Sequence, residues 1–345
     1  DYPINDNLLA VARAGAGVNN IPLDRMTEAG VVVFNTPGAN ANAVKELTIC
    51  AMLLASRDIV SGITWQATLV GKGAEVPKLV EKGKSQFGGI EIAGKTLGVI
   101  GLGAIGVKVA NAAVALDMRV LGYDPYLTDE NKSKLDPTIS LVSMEEVLAK
   151  SDFVTLHLPY LEATKNMINA DTIAKMKTGA VLINLSRGEL VNTTDIKAAL
   201  DSGKIRRYVV DFPTEDIIGY PKIISIPHLG ASTEEAEDNC AVMAAAQLKD
   251  YLENGNIKNS VNFPNLSIGR RSAHRMTIAY HTGSGVIEKI TAILGNADYT
   301  LNFAERKSVG YAIIDTDVPL ADGGEAQSIM ESISDLDDII NIRIL

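Results

Sequence analysis

The chain has 345 residues, of which 46% are hydrophobic, and its formal net charge is -10 at pH 7. This length predicts two or three domains with sizeable cores, and the acidic balance argues against nucleic acid as a partner. No apolar run is long enough to predict a membrane span, so we expect no membrane partner.

Residues 1–44 predict two strands around a glycine loop. A strand at residues 8–12 leads into the loop at 13–20, a helix follows near 23–28, and a second strand lies at 31–34. Two strands cannot cover both faces of a doubly wound domain. We therefore expect that this domain is N-terminally incomplete and that about forty to sixty residues precede Asp1 in a domain of usual size.

An apolar stripe predicts a long helix that starts near Asn42, and a charged, glycine-rich surface segment follows at 71–89. Cys50 lies on this helix, and Cys240 lies on a second long helix predicted at 234–253. Neither cysteine has metal-ligand spacing. We therefore expect reduced core cysteines, no metal site and a cytoplasmic protein.

The most specific pattern is a glycine fingerprint between two apolar strands at 97–100 and 118–123. Gly101 permits a tight turn, Gly103 lets the backbone approach a pyrophosphate, and Gly106 lets the following helix pack on the strand. This is the arrangement of a dinucleotide-binding unit.

Two further features of this unit indicate which dinucleotide binds. The backbone amides of Ala104, Ile105 and Gly106 lie at a helix start and face the phosphates with the positive end of the helix dipole. Asp124, at the end of the second strand, is placed to accept the adenosine ribose hydroxyl and to repel the extra phosphate of NADP. The sequence predicts NAD as the cofactor.

Strands and helices alternate from residue 94 to residue 230, which predicts a doubly wound parallel sheet. The later predicted strands lie at 152–156, 180–184, 208–211 and 223–226, and the helices between them lie at 170–176 and 194–202. Beyond Pro264 a polar linker leads into a strand-helix-strand-strand-helix-strand order, at 275–280, 285–294, 301–306, 310–315, 324–334 and 339–345. That order is typical of a small ferredoxin-like domain.

Three strand ends supply a candidate catalytic centre. Arg187 can hold a substrate carboxylate bidentately, although a surface ion pair is the commoner role of an arginine. His228 suits proton transfer near neutral pH, and Glu215 would favour its imidazolium form and fix the ring. His157 also ends a strand, but in the half of the sheet nearer the adenosine.

Several stretches together resemble the D-isomer-specific 2-hydroxyacid dehydrogenases. They are the glycine fingerprint with Asp124, Leu156-His-Leu-Pro159, Asn184-Leu-Ser-Arg-Gly-Glu189 and Pro227-His-Leu-Gly-Ala-Ser-Thr233. The C-terminal unit resembles an ACT domain. The resemblance implies a substrate-binding domain with a flavodoxin-like fold (1–44 and 231–264), a Rossmann NAD-binding domain (45–230) and an ACT-like regulatory domain (270–345).

The resemblance also implies residue roles. Arg187 would bind the substrate carboxylate, His228 would be the acid/base, Glu215 would raise the imidazole pKa, and Asp211 would hold the nicotinamide amide. Further cofactor-binding positions are implied at His157, Pro159 and Gly230. The remaining implied substrate-binding positions are Arg13, which suits a phosphate, and Ala14, Gly15, Gly17 and Val18, whose backbone would cradle the substrate.

An ACT domain in this family implies NAD-dependent oxidation of 3-phospho-D-glycerate, the first step of phosphorylated serine biosynthesis, by a homodimer or homotetramer with a possible amino-acid effector. Two departures bear on this. Asp211 adjoins Phe212 directly where the family usually has one more residue. In ACT domains that bind serine, the loop after the first strand and the start of the second commonly offer His and Asn, whereas here they read His281-Thr-Gly-Ser-Gly285 and Asp298-Tyr-Thr300, which argues against control by serine. Two alternatives stay open: another D-2-hydroxyacid dehydrogenase (acting on lactate, glycerate, glyoxylate or 2-hydroxyglutarate), and a non-catalytic NAD-sensing protein.

Overall fold

The computed structural model describes residues 4–5, 7–283, 285–295, 298–317 and 325–345, with the side chains of 325–327 excepted. The first elements are β1 (Ala10–Ala12), α1 (Leu23–Glu28) and β2 (Val32–Phe34). β1 and β2 pair in parallel, with Ala10 opposite Val32. They are followed by α2 (Ala41–Ser56), α3 (Ile59–Ala67) and α4 (Val76–Gly83).

The central part of the chain forms a parallel sheet with helices between its strands. The elements in chain order are β3 (Thr96–Ile100), α5 (Ala104–Ala115), β4 (Arg119–Tyr123), α6 (Asp129–Ser133), β5 (Ser140–Leu141), α7 (Met144–Lys150), β6 (Phe153–Leu156), α8 (Ala170–Lys175), β7 (Ala180–Asn184), α9 (Thr193–Asp201), β8 (Ile205–Val210) and β9 (Ile223–Ser225). Their order in the sheet is β5-β4-β3-β6-β7-β8-β9, and every pairing is parallel. Two apolar clusters cover the two faces of this sheet, as a buried parallel sheet requires.

The order of the strands indicates which edge of the parallel sheet binds ligands. β4 and β5 lie on one side of β3 and β6 to β9 on the other, so the direction of winding reverses between β3 and β6. Ligands of doubly wound sheets bind at this reversal, outside the carboxyl ends of the strands. Local sequence supports the helices between the strands: the Asn169 side chain and Thr172 cap the start of α8 reciprocally, and Ser143 caps α7.

The last part of the chain begins with α10 (Glu234–Asn254) and continues into an antiparallel sheet. Its elements are β10 (His274–His281), α11 (Val286–Leu294), β11 (Tyr299–Arg306), β12 (Val309–Thr316), α12 (Glu325–Ser334) and β13 (Ile339–Ile344). The strand order is β11-β12-β10-β13, which is the predicted ferredoxin-like arrangement. The predicted start of its second helix, Gly324, lies outside the described residues.

Contacts divide the chain into two compact units, one joining Asp1–Ala39 to Glu237–Leu345 and one spanning Asn40–Ala236. In the first unit, the antiparallel sheet shares a core with the N-terminal strands, because Val32 and Phe34 pack in the same cluster as Tyr311 and Ile313. In the described part of the chain, no single helix is both long and apolar enough to cross a bilayer. Only α2 and α3 pass that test together, as a pair bent by 68°.

The predicted fold class is confirmed: a Rossmann-like parallel sheet is accompanied by a separate small antiparallel sheet. The flavodoxin-like character of the N-terminal part and the three domain boundaries stay predictions. The helices α3 and α7 were not predicted from the sequence. The exposed face of α3, with Ile59, Val60 and Ile63 all open to solvent, explains why its pattern is not amphipathic.

Candidate active site at the carboxyl edge of the parallel sheet

The glycine turn between β3 and α5 has the geometry that a dinucleotide needs. Gly101 has a φ of +93°, and a Cβ there would lie 2.3 Å from the carbonyl oxygen of His157. A Cβ on Gly106 would lie 1.9 Å from the carbonyl oxygen of Gly101, so the helix can begin here only with glycine. A Cβ on Gly103 would meet nothing within 4 Å, which leaves open space above the turn. These positions fit the pyrophosphate of a dinucleotide.

The start of α5 completes the phosphate-binding surface. Ala104 and Ile105 are in the first turn of α5, where backbone amides have no partner within the helix. Asp124, at the end of β4, accepts hydrogen bonds from the backbone amides of Leu102 and Tyr126, both at 2.8 Å. Each carboxylate oxygen can accept a further bond, so Asp124 both holds the turn and remains able to accept a ribose hydroxyl.

His157 and Pro159 follow β6, at the middle of the same edge. The imidazole Nε2 of His157 lies 3.0 Å from the Thr155 hydroxyl, and Nδ1 has no hydrogen-bond partner among the described residues. Burial lowers the pKa of His157 to about 3, so the ring is neutral at physiological pH. His157 therefore cannot be the proton carrier near pH 7. Pro159 is exposed.

Arg187, Asp211 and His228 follow the neighbouring strands β7, β8 and β9. Since carboxyl ends of adjacent parallel strands meet at one edge, the three side chains converge there. The His228 amide donates to the carbonyl oxygens of Asp211 and Ile226, both at 3.0 Å. His228 itself has a φ of +44°, a strained left-handed conformation that these two bonds hold.

Asp211 is the most deeply buried member of this group, with 1% of its surface exposed. Neither of its carboxylate oxygens has a hydrogen-bond partner among the described residues. Burial raises the pKa of Asp211, and the charges of His228 and Arg187 oppose that rise. A Cβ on Gly230 would lie 3.3 Å from Asp211 Oδ2, so Gly230 leaves this carboxylate room. Unpaired buried acceptors fit the amide group of a nicotinamide.

Arg187 is held by its neighbours rather than by an ion pair. Its guanidinium donates to the Ser186 carbonyl at 2.6 Å, and its own carbonyl accepts from the Asn184 side chain at 2.8 Å. The surface ion pair that the sequence left as an alternative is absent among the described residues. Asn184 is fully buried and was missed by the sequence analysis, although its place three residues before Arg187 at a strand end was a usable signal.

Phe212, which the sequence did not single out, places an aromatic ring beside both catalytic candidates. The centroid of its ring lies 4.5 Å from that of His228, at an interplanar angle of 42°. The guanidinium carbon of Arg187 lies 5.8 Å from the same ring. Phe212 therefore contacts both of them.

Glu215 is the residue that the sequence predicts as the partner of His228. It is exposed, and no hydrogen bond or ion pair joins it to His228 in the part of the chain that the structure describes. Its neighbour Asp216 is bonded to Lys197 at 2.6 Å. The predicted pairing of Glu215 with His228 stays a prediction that this arrangement does not support.

The predicted substrate loop belongs to the other compact unit and is described by itself. Gly15 has a φ of +146°, and its amide donates to the Thr36 hydroxyl at 2.7 Å. A Cβ on Gly15 would lie 2.1 Å from the Arg13 guanidinium, so the arginine folds back over the loop. The Arg13 side chain and Ala14 are exposed, whereas Gly17 and Val18 are half-buried. The loop thus presents a cation and backbone amides, as a bound anion requires.

A cavity of about 550 Å³ lies beside the catalytic candidates within the Asn40–Ala236 unit. It is lined by Asp211, Phe212, His228, Tyr208 and Lys165, among others. No group of His, Cys, Asp or Glu side chains with the geometry of a metal site occurs among the described residues. Arg187, His228 and Asp211 bring a guanidinium, an imidazole and a buried carboxylate to this edge of the sheet.

Comparisons with known proteins identify the family of the chain. Residues 49–230 match the family model of the D-isomer specific 2-hydroxyacid dehydrogenase, NAD binding domain. The chain is 38% identical over 268 residues to a D-3-phosphoglycerate dehydrogenase from Methanocaldococcus jannaschii, covering 76% of this chain and 49% of that protein. It is 32% identical to the enzyme of the same name from Haemophilus influenzae, covering 98% of this chain and 81% of that protein.

The likeness extends to solved structures. A D-lactate dehydrogenase from Aquifex aeolicus, complexed with NAD and lactic acid, superimposes with a TM-score of 0.59 at 26% identity, covering 74% of this chain and 81% of that one. The chain spans about half the length of the first curated relatives that it matches.

Proposed function

The chain belongs to the D-isomer specific 2-hydroxyacid dehydrogenase family and carries its NAD-binding domain, and from that premise we propose that it oxidises 3-phospho-D-glycerate to 3-phosphohydroxypyruvate. The observation that carries the proposal is the convergence of Arg187, Asp211 and His228 at the ends of three neighbouring strands. Two of the relatives described above bear the name of this activity.

Each residue has a chemical task in this proposal. NAD, when bound, supplies the acceptor for the hydride that leaves the hydroxyl-bearing carbon. Arg187 holds the substrate carboxylate and so orients the adjacent carbon. His228 takes the proton of the hydroxyl group as the carbonyl forms. Asp211, whose buried oxygens have no hydrogen-bond partner among the described residues, would hold the nicotinamide amide.

The phosphate specificity is proposed to come from the substrate loop. Arg13 is exposed beside Gly15 and Thr36, and a guanidinium suits a phosphate because it offers several donors in a planar array. The backbone of Ala14, Gly15, Gly17 and Val18 would cradle the rest of the substrate. A lactate-type substrate has no group that requires Arg13.

The antiparallel sheet supports a proposal about assembly and control. β11 is an edge strand, and Phe303 on it is 50% exposed. Pairing with a second copy of the chain would cover this edge, so we propose a homo-oligomer. As in the ACT domains that this sheet resembles, an amino-acid effector would bind there, and the enzyme would serve serine biosynthesis in the cytoplasm.

The direct test is NADH formation with 3-phosphoglycerate, D-lactate and D-2-hydroxyglutarate at matched concentrations. The proposal expects the highest kcat/KM with 3-phosphoglycerate, and an Arg13→Gln variant that loses this preference while its kcat/KM with D-lactate is unchanged. A higher kcat/KM with D-lactate than with 3-phosphoglycerate would contradict the substrate assignment.

Two other functions each have one observation in their favour. The structural likeness to a D-lactate dehydrogenase favours a different D-2-hydroxy acid as substrate. The exposure of Glu215, away from a bond to His228, favours a non-catalytic NAD-sensing protein. NADH binding without NADH formation from any of the three hydroxy acids would select the sensing function.

A further inference from the structure

The loop that follows β8 gives His228 an aromatic neighbour. β8 ends at Val210, and Asp211 and Phe212 are the first two residues of this loop. The centroid of the Phe212 ring lies 4.5 Å from that of the His228 ring, and Glu215 is exposed to solvent three residues further on. The side chain that contacts the proposed acid/base is therefore Phe212.

We propose that Phe212 is the positioning residue for both His228 and Arg187, so that the proton acceptor and the carboxylate-binding group are held by one ring. This inference rests on the proposed function, because it gives the same two residues their catalytic tasks. The imidazole packs against the ring at 42°, and the guanidinium lies 5.8 Å from its centroid. Tilted aromatic contacts and cation–π contacts are both attractive and directional.

The position of Phe212 is itself fixed by its surroundings. The residue before it, Asp211, accepts the backbone hydrogen bond of His228 at 3.0 Å, which links the two loops. On the other side, a Cβ on Gly188 would lie only 3.3 Å from the Phe212 Cβ, so the glycine after Arg187 leaves space for the ring. Phe212 also packs against the core cluster of the sheet. The ring is thus a rigid support.

The charges near His228 agree with this assignment. Burial raises the pKa of the Asp211 carboxyl, and the charges of His228 and Arg187 oppose that rise, so these three groups act on one another. Phe212 contacts two of the three, His228 and Arg187. Packing against this ring and the backbone bonds of His228 both orient the imidazole.

A spectroscopic test needs no turnover. The chain has four histidines, so the ring resonances of His228 can be assigned by their loss in a His228→Asn variant, since asparagine tolerates the left-handed backbone of this position. Phe212→Leu should move these resonances, because the ring current of Phe212 is removed, whereas Phe87→Leu, which removes an aromatic ring elsewhere, should leave them in place. Unmoved resonances in Phe212→Leu, or an equal movement in Phe87→Leu, would overturn the proposal.

A kinetic test uses a matched control. Phe87→Leu also removes one tilted aromatic contact, with Trp65 at 5.3 Å and 41°, in the same compact unit but away from the site. Phe212→Leu should lower kcat by about 10- to 100-fold, since a small misplacement of a catalytic group has effects of that size. It should also raise KM for the hydroxy acid, because Arg187 loses its support, and leave the Kd of NADH unchanged.

The control and the rescue variant decide the outcome. Phe87→Leu should lower the unfolding temperature about as much as Phe212→Leu yet keep normal kcat and KM, and Phe212→Tyr should restore both kinetic constants. Equal kinetic losses in the two leucine variants, or none in Phe212→Leu, would overturn the proposal. If the unmutated protein oxidises no hydroxy acid, the proposed function fails, while the His228 resonances still decide whether Phe212 positions the ring.

Discussion

Asp124 combines a structural and a recognition role in one carboxylate. Its oxygens accept the amides of Leu102 and Tyr126, and the remaining lone pairs are free for a ribose. We expect Asp124→Ala to weaken NAD binding and to reduce the preference for NAD over NADP, because a hydrogen bond and a charge repulsion are both lost. Fluorescence titration with the two reduced cofactors measures this.

Asp129→Ala, an exposed change on α6, is the control for the loss of one negative charge near this strand end. It should leave both dissociation constants unchanged. NADP binding as tight as NAD binding in the unmutated protein would show that Asp124 does not select the cofactor.

His228 is best replaced by a residue that tolerates its backbone. Its φ of +44° is left-handed, and asparagine adopts that region more readily than alanine. We expect His228→Asn to lower kcat by about two to four orders of magnitude, the usual contribution of a general base, while NADH still binds. Stopped-flow and binding measurements on the same sample separate the two effects. A variant with near-normal turnover would exclude His228 as the base.

His157 gives the folded protein a specific sensitivity to acid. Its pKa is about 3 in the fold and near 6.5 when unfolded, so the unfolded state binds more protons between these values. The free energy of unfolding should therefore fall by about 2 kcal/mol from this residue alone as pH drops from 6.5 to 5. Denaturant titrations at the two pH values measure the loss.

A His157→Gln variant should show a smaller loss over the same range, because the titrating group is gone. The exposed His281→Gln is the matched control and should behave like the unmutated protein. An unchanged pH dependence in His157→Gln would mean that folding does not lower the pKa of His157.

At the scale of elements, two glycines of the turn between β3 and α5 have different tasks: Gly106 is needed for folding and Gly103 for binding. A Cβ on Gly106 would lie 1.9 Å from a carbonyl oxygen, whereas a Cβ on Gly103 would meet no protein atom within 4 Å. We expect Gly106→Ala to lower the unfolding temperature of the cofactor-free protein. Gly103→Ala should leave that temperature unchanged and weaken NADH binding instead. Calorimetry and NADH titration of both variants check this, and the reverse result would contradict the geometry.

The sequence predicted the buried elements better than the exposed ones. The bounds of β7 agree with the prediction, because an apolar strand buried at every position gives an unambiguous pattern. The helix α3 was missed, since its exposed isoleucines remove the contrast between two faces. The helix α7 was missed although Ser143 and Glu146 form a recognisable start.

Those site residues that closely follow the end of a strand were predictable from the sequence. Arg187 and His228 follow β7 and β9, and a strand end sets the place of the next few residues. Glu215 lies four residues beyond Asp211 in an irregular loop, where one residue more or less redirects every side chain. Asp211 and Phe212 are adjacent in the sequence, yet only the folded loop shows that the ring, and not the carboxylate of Glu215, contacts the imidazole.

At the scale of the whole molecule, the cores of the two compact units are independent. The clusters that cover the parallel sheet draw their buried residues only from positions between 44 and 217. The other unit joins distant parts of the chain, since Phe34, Tyr251 and Phe263 share a cluster with Tyr311. Arg275 and Asp315 form a buried ion pair. The Arg275 guanidinium also donates hydrogen bonds to the carbonyls of Asn254 and Ile268. This ties the end of α10 and the linker to the antiparallel sheet.

Truncations should therefore follow the units and not the three sequence-predicted domains. We expect residues 40–236 alone to fold cooperatively and to bind NADH, because their cores and the glycine turn are complete. Residues 1–269 also contain the glycine turn but lose Tyr311 and Ile313, which uncovers Phe34, Tyr251 and Phe263 to water. This longer piece should bind NADH but bind a hydrophobic dye and aggregate, as light scattering and dye fluorescence would show. If 1–269 stays monodisperse and binds no dye, then the N-terminal strands do not depend on the antiparallel sheet, and the domain boundary predicted near residue 270 would stand instead.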